Sequence, residues 1–250
     1  MLRRRPCPEL LPRPHAAQQV ERLADVDVLG RLPPELGARP EHVARDLAAD
    51  AVVLHASGSA DPPGLAPLRA AGHAAGTFHP LVPLADPARA ALLLRGAWIG
   101  VEGDPRAVVL ARTLATRLGA YVLEIPAGEK PRYHAAAVFA ANFPTVLAAI
   151  AVRLLAEAGV SRTDGWPAVL ALMRAALSNL GDRAPSRALT GPIARGDVET
   201  VRHHLEALRA DAPALEAYRV LSRAALELAK EGGTEPERLG EIESLLSIEY

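Results

Sequence analysis

Four short stretches of this chain combine titratable, polar and turn-forming residues in ways that packing alone does not require. The first is His55-Ala56-Ser57-Gly58, which closes an apolar run. An imidazole, a hydroxyl and the N–H groups of a glycine turn could meet the ribose or amide of a nucleotide. The plain alternative is a strand-to-helix turn in which Ser57 caps the helix. The second is Gly76-Thr77-Phe78-His79-Pro80. Pro80 holds the residue before it extended, so His79 ends a strand. There it could donate to a substrate carbonyl or act as a general acid, or it could bond to backbone in the turn.

The third stretch is Tyr133-His134, which heads an alanine-rich run containing Asn142 and Pro144. In the first turn of a helix the positive end of the peptide dipoles disfavours an imidazolium, so a neutral His134 is expected, able to polarise a carbonyl. Asn142 falls about two turns further on and about 80° round. The pair could line one side of a cleft between domains, or belong to a kinked core helix whose polar groups are satisfied. Pro144 removes a helical hydrogen bond and bends the helix. The fourth stretch runs from Thr190 to Asp197. Gly191-Pro192 makes a turn, Asp197 is a good N-cap, and Arg195 near that helix start suits a carboxylate or phosphate, or pairs with a neighbouring acid. His203-His204 reads as solvent-facing. His55, His79 and His134 could converge on a metal, but no H-x-x-x-H or His-carboxylate spacing supports one, so no metal is assigned.

The elements that must position these residues follow from the apolar pattern. Strands are predicted over 51–56, 74–79, 97–102 and 121–125, and a further short one over Val26–Leu29. Helices are predicted over 63–71, 86–94 and from Asp104-Pro105 to about Leu118, where Gly119 stops the turn. Strands alternating with helices imply crossovers and a largely parallel sheet. After Pro126 the strands cease. Helices are predicted over 131–158, 165–180, 197–210, 212–231 and 235–247. The chain therefore divides into a proline-rich segment 1–45, an α/β domain 46–128 and an all-helical domain 129–250.

Composition narrows the function classes. The formal net charge is −1, with no basic excess to hold nucleic acid and no polybasic membrane tail. The single cysteine excludes an intramolecular disulfide framework. Lysine occurs only at Lys130 and Lys230. The uncharged run from Ala135 to Val152 is long enough to suggest a membrane span. Its alanine content, Asn142 and Pro144 favour a buried helix in a cytoplasmic protein.

An α/β segment, a long helix opened by Tyr133-His134 and then Thr190-Gly191-Pro192 through Arg195-Gly196-Asp197 is a familiar order. With Gly96-Ala97-Trp98-Ile99-Gly100-Val101-Glu102-Gly103-Asp104, it resembles the Rossmann-like proteins that end in the domain of unknown function 2520. These are related to pyrroline-5-carboxylate reductases, deazaflavin-dependent NADP reductases and 6-phosphogluconate dehydrogenases. The resemblance spans about residues 48 to 230. It implies a partial Rossmann-like parallel sheet followed by a helical domain of the 6-phosphogluconate dehydrogenase C-terminal kind, which commonly dimerises. It implies an oxidoreductase using NADP or NAD on a small anionic carbonyl, imine or hydroxy substrate. His55, Ser57 and Gly58 would lie by the cofactor. His79, His134 and Asn142 would be catalytic. Tyr133, Thr190 and Arg195 would hold substrate. The family should open with G-x-G-x-x-G between a strand and a helix, whereas Gly30-Arg31-Leu32-Pro33-Pro34 has one glycine and two prolines. A truncated or replaced first half leaves a second expectation open, a non-catalytic descendant serving as a dimeric interaction module.

Overall fold

The structure, a computed structural model, describes residues 47–58, 65–83 and 90–248. The segment 1–45, the strand expected at Val26–Leu29 and the starts of the helices expected at 63 and 86 lie outside the described residues. Those residues fall into two units, one up to Thr145 and one from Val146 onward.

In the first unit β1 (Val52–His55), β2 (Ala74–Pro80), β3 (Trp98–Gly103) and β4 (Tyr121–Glu124) lie side by side in that order. The four strands stand where the apolar runs put them. Helix α1 (Leu65–Ala70) carries the chain from β1 back to a parallel β2, and α3 (Pro105–Leu118) does the same between β3 and β4. The sheet is largely parallel, as expected, with these two pairs parallel and the third not. β2 and β3 are antiparallel, with Pro80 opposite Ile99 and Gly76 opposite Gly103. Because β3 begins beside the end of β2, the connection holding α2 (Ala90–Leu94) returns at the same end of the sheet and no crossover is needed. The carboxyl ends of β1 and β2 therefore share one edge with the amino ends of β3 and β4.

Strand alternation sorts side chains between the two faces. Leu54, Phe78, Ile99 and Val101 pack with Ala111 and Ala115 of α3. The helix turns a stripe of alanines, Ala107, Ala111 and Ala115, toward the sheet, and small residues let it approach closely. Gly76 lies beneath it, where a Cβ would come within 2.8 Å of the Ala107 Cβ. Gly119 ends α3 in the left-handed conformation, as its sequence position predicts. Asp104 precedes α3 without capping it by its side chain; its carboxylate accepts the Ala75 N–H at 2.8 Å instead, tying the helix start to β2. On the other face Val53 and Ala75 pack against Leu65 and Leu68 of α1. His55, Thr77 and His79 follow at the open end of that face.

The helix expected over 131–158 is two helices, α4 (Lys130–Ala141) and α5 (Phe143–Glu157), parted at Asn142. Pro144 has no N–H to continue the ladder, and Thr145 bonds back to the Asn142 carbonyl at 3.1 Å. Its expected burial is corrected. Only Lys130 of α4 and Ala148 of α5 are buried. The run is apolar nearly all round, so no single stripe is directed into a core. By length and composition Lys130–Glu157 could cross a membrane.

The second unit is helical. α6 (Arg162–Asp182) starts where Ser161 Oγ accepts the Asp164 N–H. Two single-turn helices that the periodicity did not reveal follow, α7 (Pro185–Ala188) and α8 (Pro192–Arg195). Then come α9 (Val198–Ala207), capped by Asp197 as expected, α10 (Ala212–Gly232) and α11 (Pro236–Leu246). Val201, Leu205, Leu215, Leu226, Ile242 and Leu246 form the centre of their shared core.

Candidate functional site

The polar residues at the open end of the sheet form one connected cluster in the first unit. Thr77 and His79 are two residues apart on β2 and so share a face. His55 is the register partner of Thr77 on β1, and Gly100 is the partner of His79 on β3. The first turn of α4 comes down on this surface. Lys130 Nζ donates to Thr77 Oγ1 at 2.6 Å, and one turn later Tyr133 Oη lies 2.7 Å from His79 Nδ1. The helix spacing i, i+3 thus meets the strand spacing i, i+2, and two hydrogen bonds fasten α4 to β2.

These bonds set protonation states. Burial pushes the Tyr133 phenol up to about 12, so it keeps its proton and donates to His79 Nδ1. Burial first, then the neighbouring His134 and Lys130, hold His79 below the ordinary histidine value. A neutral His79 that accepts at Nδ1 carries its proton on Nε2. The Nε2 edge faces Gly58 and His134. A Cβ on Gly58 would lie 2.6 Å from His79 Nε2 and 2.5 Å from the His134 ring. The two imidazoles meet edge to face at 6.0 Å between centroids. Gly100 is the other necessary glycine, because a Cβ there would overlap the Tyr133 hydroxyl.

His55 is held at both nitrogens. Ser57 N–H donates to its Nδ1 at 3.2 Å, while Nε2 lies 3.2 Å from Thr77 Oγ1 and 3.0 Å from Lys130 Nζ. Its ring is spoken for within the protein. Ser57 itself is exposed, and Gly58 is buried.

The structure therefore gathers His55, Ser57, Gly58, His79, Tyr133 and His134. It does not gather Asn142, which stands exposed as the C-cap of α4 with its backbone N–H on the Val138 carbonyl. Thr190 and Arg195 belong to the second unit. Thr190 is exposed, and Arg195 closes α8 with its guanidinium 3.8 Å from the Asp197 carboxylate. With Arg238, Thr234 and Glu235, Arg195 lines a cavity of about 380 Å³. Among the described residues no group of three metal-ligating side chains stands together.

Three members of the cluster have no role assigned from sequence: Thr77, Gly100 and Lys130. Each left a faint signal. Thr77 precedes His79 by the strand period, Gly100 is a glycine inside a strand, which often marks a close approach, and Lys130 is one of the chain's rare lysines.

The domain of unknown function 2520 matches residues 97–225, more than half of the chain. The matched stretch contains Gly100, Lys130, Tyr133, His134, Thr190 and Arg195. A solved protein of Thermotoga maritima is 25% identical, with a TM-score of 0.65, over 80% of this chain and 76% of its own. A solved structure from Bacteroides fragilis described as a "putative NADP oxidoreductase" shares the fold at 21% identity and a TM-score of 0.62, over 78% of this chain and 73% of its own. No curated protein matches.

Proposed function

We propose that this chain, which belongs to the family of the domain of unknown function 2520, is an oxidoreductase of the NAD(P)-dependent class acting on a small anionic carbonyl, imine or hydroxy substrate. The observation that carries the reading is the 2.7 Å bond between Tyr133 and a His79 held neutral. It leaves an Nε2–H directed away from Tyr133, beside His134. In this reading His79 polarises the substrate oxygen or nitrogen without itself bearing charge. His134, whose ring stands edge to face with His79, orients the same atom or passes it a proton. Within the helical unit, Arg195, which lines a cavity with a second arginine, and Thr190 are the candidates for binding an anionic group. Asn142, exposed at the break between α4 and α5, is the weakest member of the catalytic set. The description of the Bacteroides fragilis structure supports the reaction class.

The nicotinamide cofactor would supply hydride. The described residues fit it only in part. They offer hydrogen-bond donors at the reacting end. Among them no glycine-rich turn joins a strand to a helix to receive the diphosphate, and the space in front of Gly58 is filled by the His79 and His134 rings.

Titration of the purified chain with NADPH and with NADH, followed by fluorescence and thermal unfolding, tests the proposal. Saturable binding that raises the unfolding temperature supports it. His134→Ala should then lower turnover by about 10²–10⁴-fold at unchanged cofactor affinity. Failure of both cofactors to bind at millimolar concentration sinks it and favours the interaction module. A cytoplasmic homodimer formed through the helical unit belongs to the same proposal. The broken α4–α5 run, with a lysine buried at its head, speaks for a soluble chain, and the exposed leucines of α6 speak for a partner.

A further inference from the structure

Lys130 is 2% exposed, and its ammonium nitrogen sits where two strands and a helix meet. It touches Thr77 Oγ1 of β2 and His55 Nε2 of β1, 2.6 and 3.0 Å away, from the first position of α4. Thr77 and His55 are themselves paired across the sheet. Thr77 is 1% exposed. A lysine held by these two partners has a fixed place relative to both strands. Tyr133 follows one turn later on the same helix and bonds His79, which follows Thr77 by two residues on the same strand face.

We propose that Lys130 is the positioning residue of this site: by anchoring the first turn of α4 to the ends of β1 and β2, it sets where Tyr133 holds the His79 ring and so which of its nitrogens carries the proton. The inference rests on the site reading given above and assigns a role in it to a residue that makes no contact with substrate. The nearness of its charge also adds to the effects that keep His79 neutral. Among the described residues Tyr133, His134 and Lys130 face His79 from α4, while His55 of β1 and Glu102 of β3 flank Thr77 on the same sheet face, two residues before His79 on β2. The nearest positions on β3 and after β1, Gly100 and Gly58, bring no side-chain charge.

The test is NMR of the imidazole nitrogens and Cε1–H of His79, assigned with His79→Asn, in the wild-type chain and in Lys130→Met and Thr77→Val. These spectra need neither cofactor nor turnover, so a chain that fails to bind NADPH can still pass, and an active enzyme can still fail. Wild type should show the single Nε2–H tautomer. Lys130→Met, if folded by thermal unfolding, should show a mixture of tautomers and a titration midpoint moved upward, toward the ordinary histidine value. Thr77→Val keeps the lysine charge but removes its 2.6 Å bond, and should loosen the tautomer preference without the full upward move. Lys130→Arg should restore a good part of the wild-type pattern. If Lys130→Met does not fold, the Thr77→Val spectrum decides. A His79 spectrum identical to wild type in a folded Lys130→Met, or in Thr77→Val where that variant decides, overturns the proposal.

Discussion

At the scale of residues, His79 is the hinge of the candidate site because its surroundings oppose its protonation. Burial is the largest cause, and the neighbouring His134 and Lys130 add to it. A folded-state value held below the ordinary 6.5 has a definite sign in stability. Below that pH the unfolded chain takes up a proton that the folded chain resists, so stability falls on acidification. The contribution is complete above pH 6.5 and is lost as pH drops through the lowered folded value. Urea unfolding at a series of pH values between about 5 and 8 should show wild type losing more stability toward acid than His79→Asn. Parallel curves would mean that His79 titrates normally. The fit around the ring is equally specific: the glycines at 58 and 100 are there because three aromatic rings occupy the space their side chains would need.

At the scale of elements, α3 shows how the sequence sets a packing distance. Its buried face is alanine throughout, at Ala107, Ala111 and Ala115, against Ile99 and Val101 of β3. This holds the sheet flush to the helix. Ala111→Leu should force the two apart and cost about 1–3 kcal/mol by overpacking, read as a lower denaturation midpoint at unchanged slope. A neutral outcome would show that the layer has room. Local pattern does not fix the burial of α4 and α5. Alanine content, Asn142 and Pro144 favour a buried helix, yet a helix is buried by what packs on it, and little of this run is buried. The antiparallel pairing of β2 with β3 was equally invisible, since a connection of the same length can cross over or turn back.

At the scale of the whole molecule, two units with different cores are joined in one chain. The helical unit leaves Leu172 at 73%, Leu177 at 64% and Leu180 at 50% exposure along one broad side of α6. If a second copy covers this side, light scattering should report a dimer of the 26.4 kDa chain, and Leu172→Glu with Leu177→Glu should give monomers that keep their helical circular dichroism. A wild-type chain that runs as a monomer at every concentration would remove the dimer from the proposal.

The amino-acid sequence by itself determined the α/β-then-helical order, the four strands and most helix ends, because these follow from apolar periodicity, Asp, Pro and Gly caps, and local turn chemistry. It also singled out His79, Tyr133 and His134 as chemistry-bearing positions. The tertiary structure decided which of the chosen residues meet. It put Lys130 on Thr77, 53 residues away in the chain, and Tyr133 on His79, and it left Asn142 outside. It also decided the pairing of β2 with β3 and the exposure of α4 and α5. Contacts of that kind depend on strand register and on which helix end lands over which strand, and no local pattern of residues encodes either.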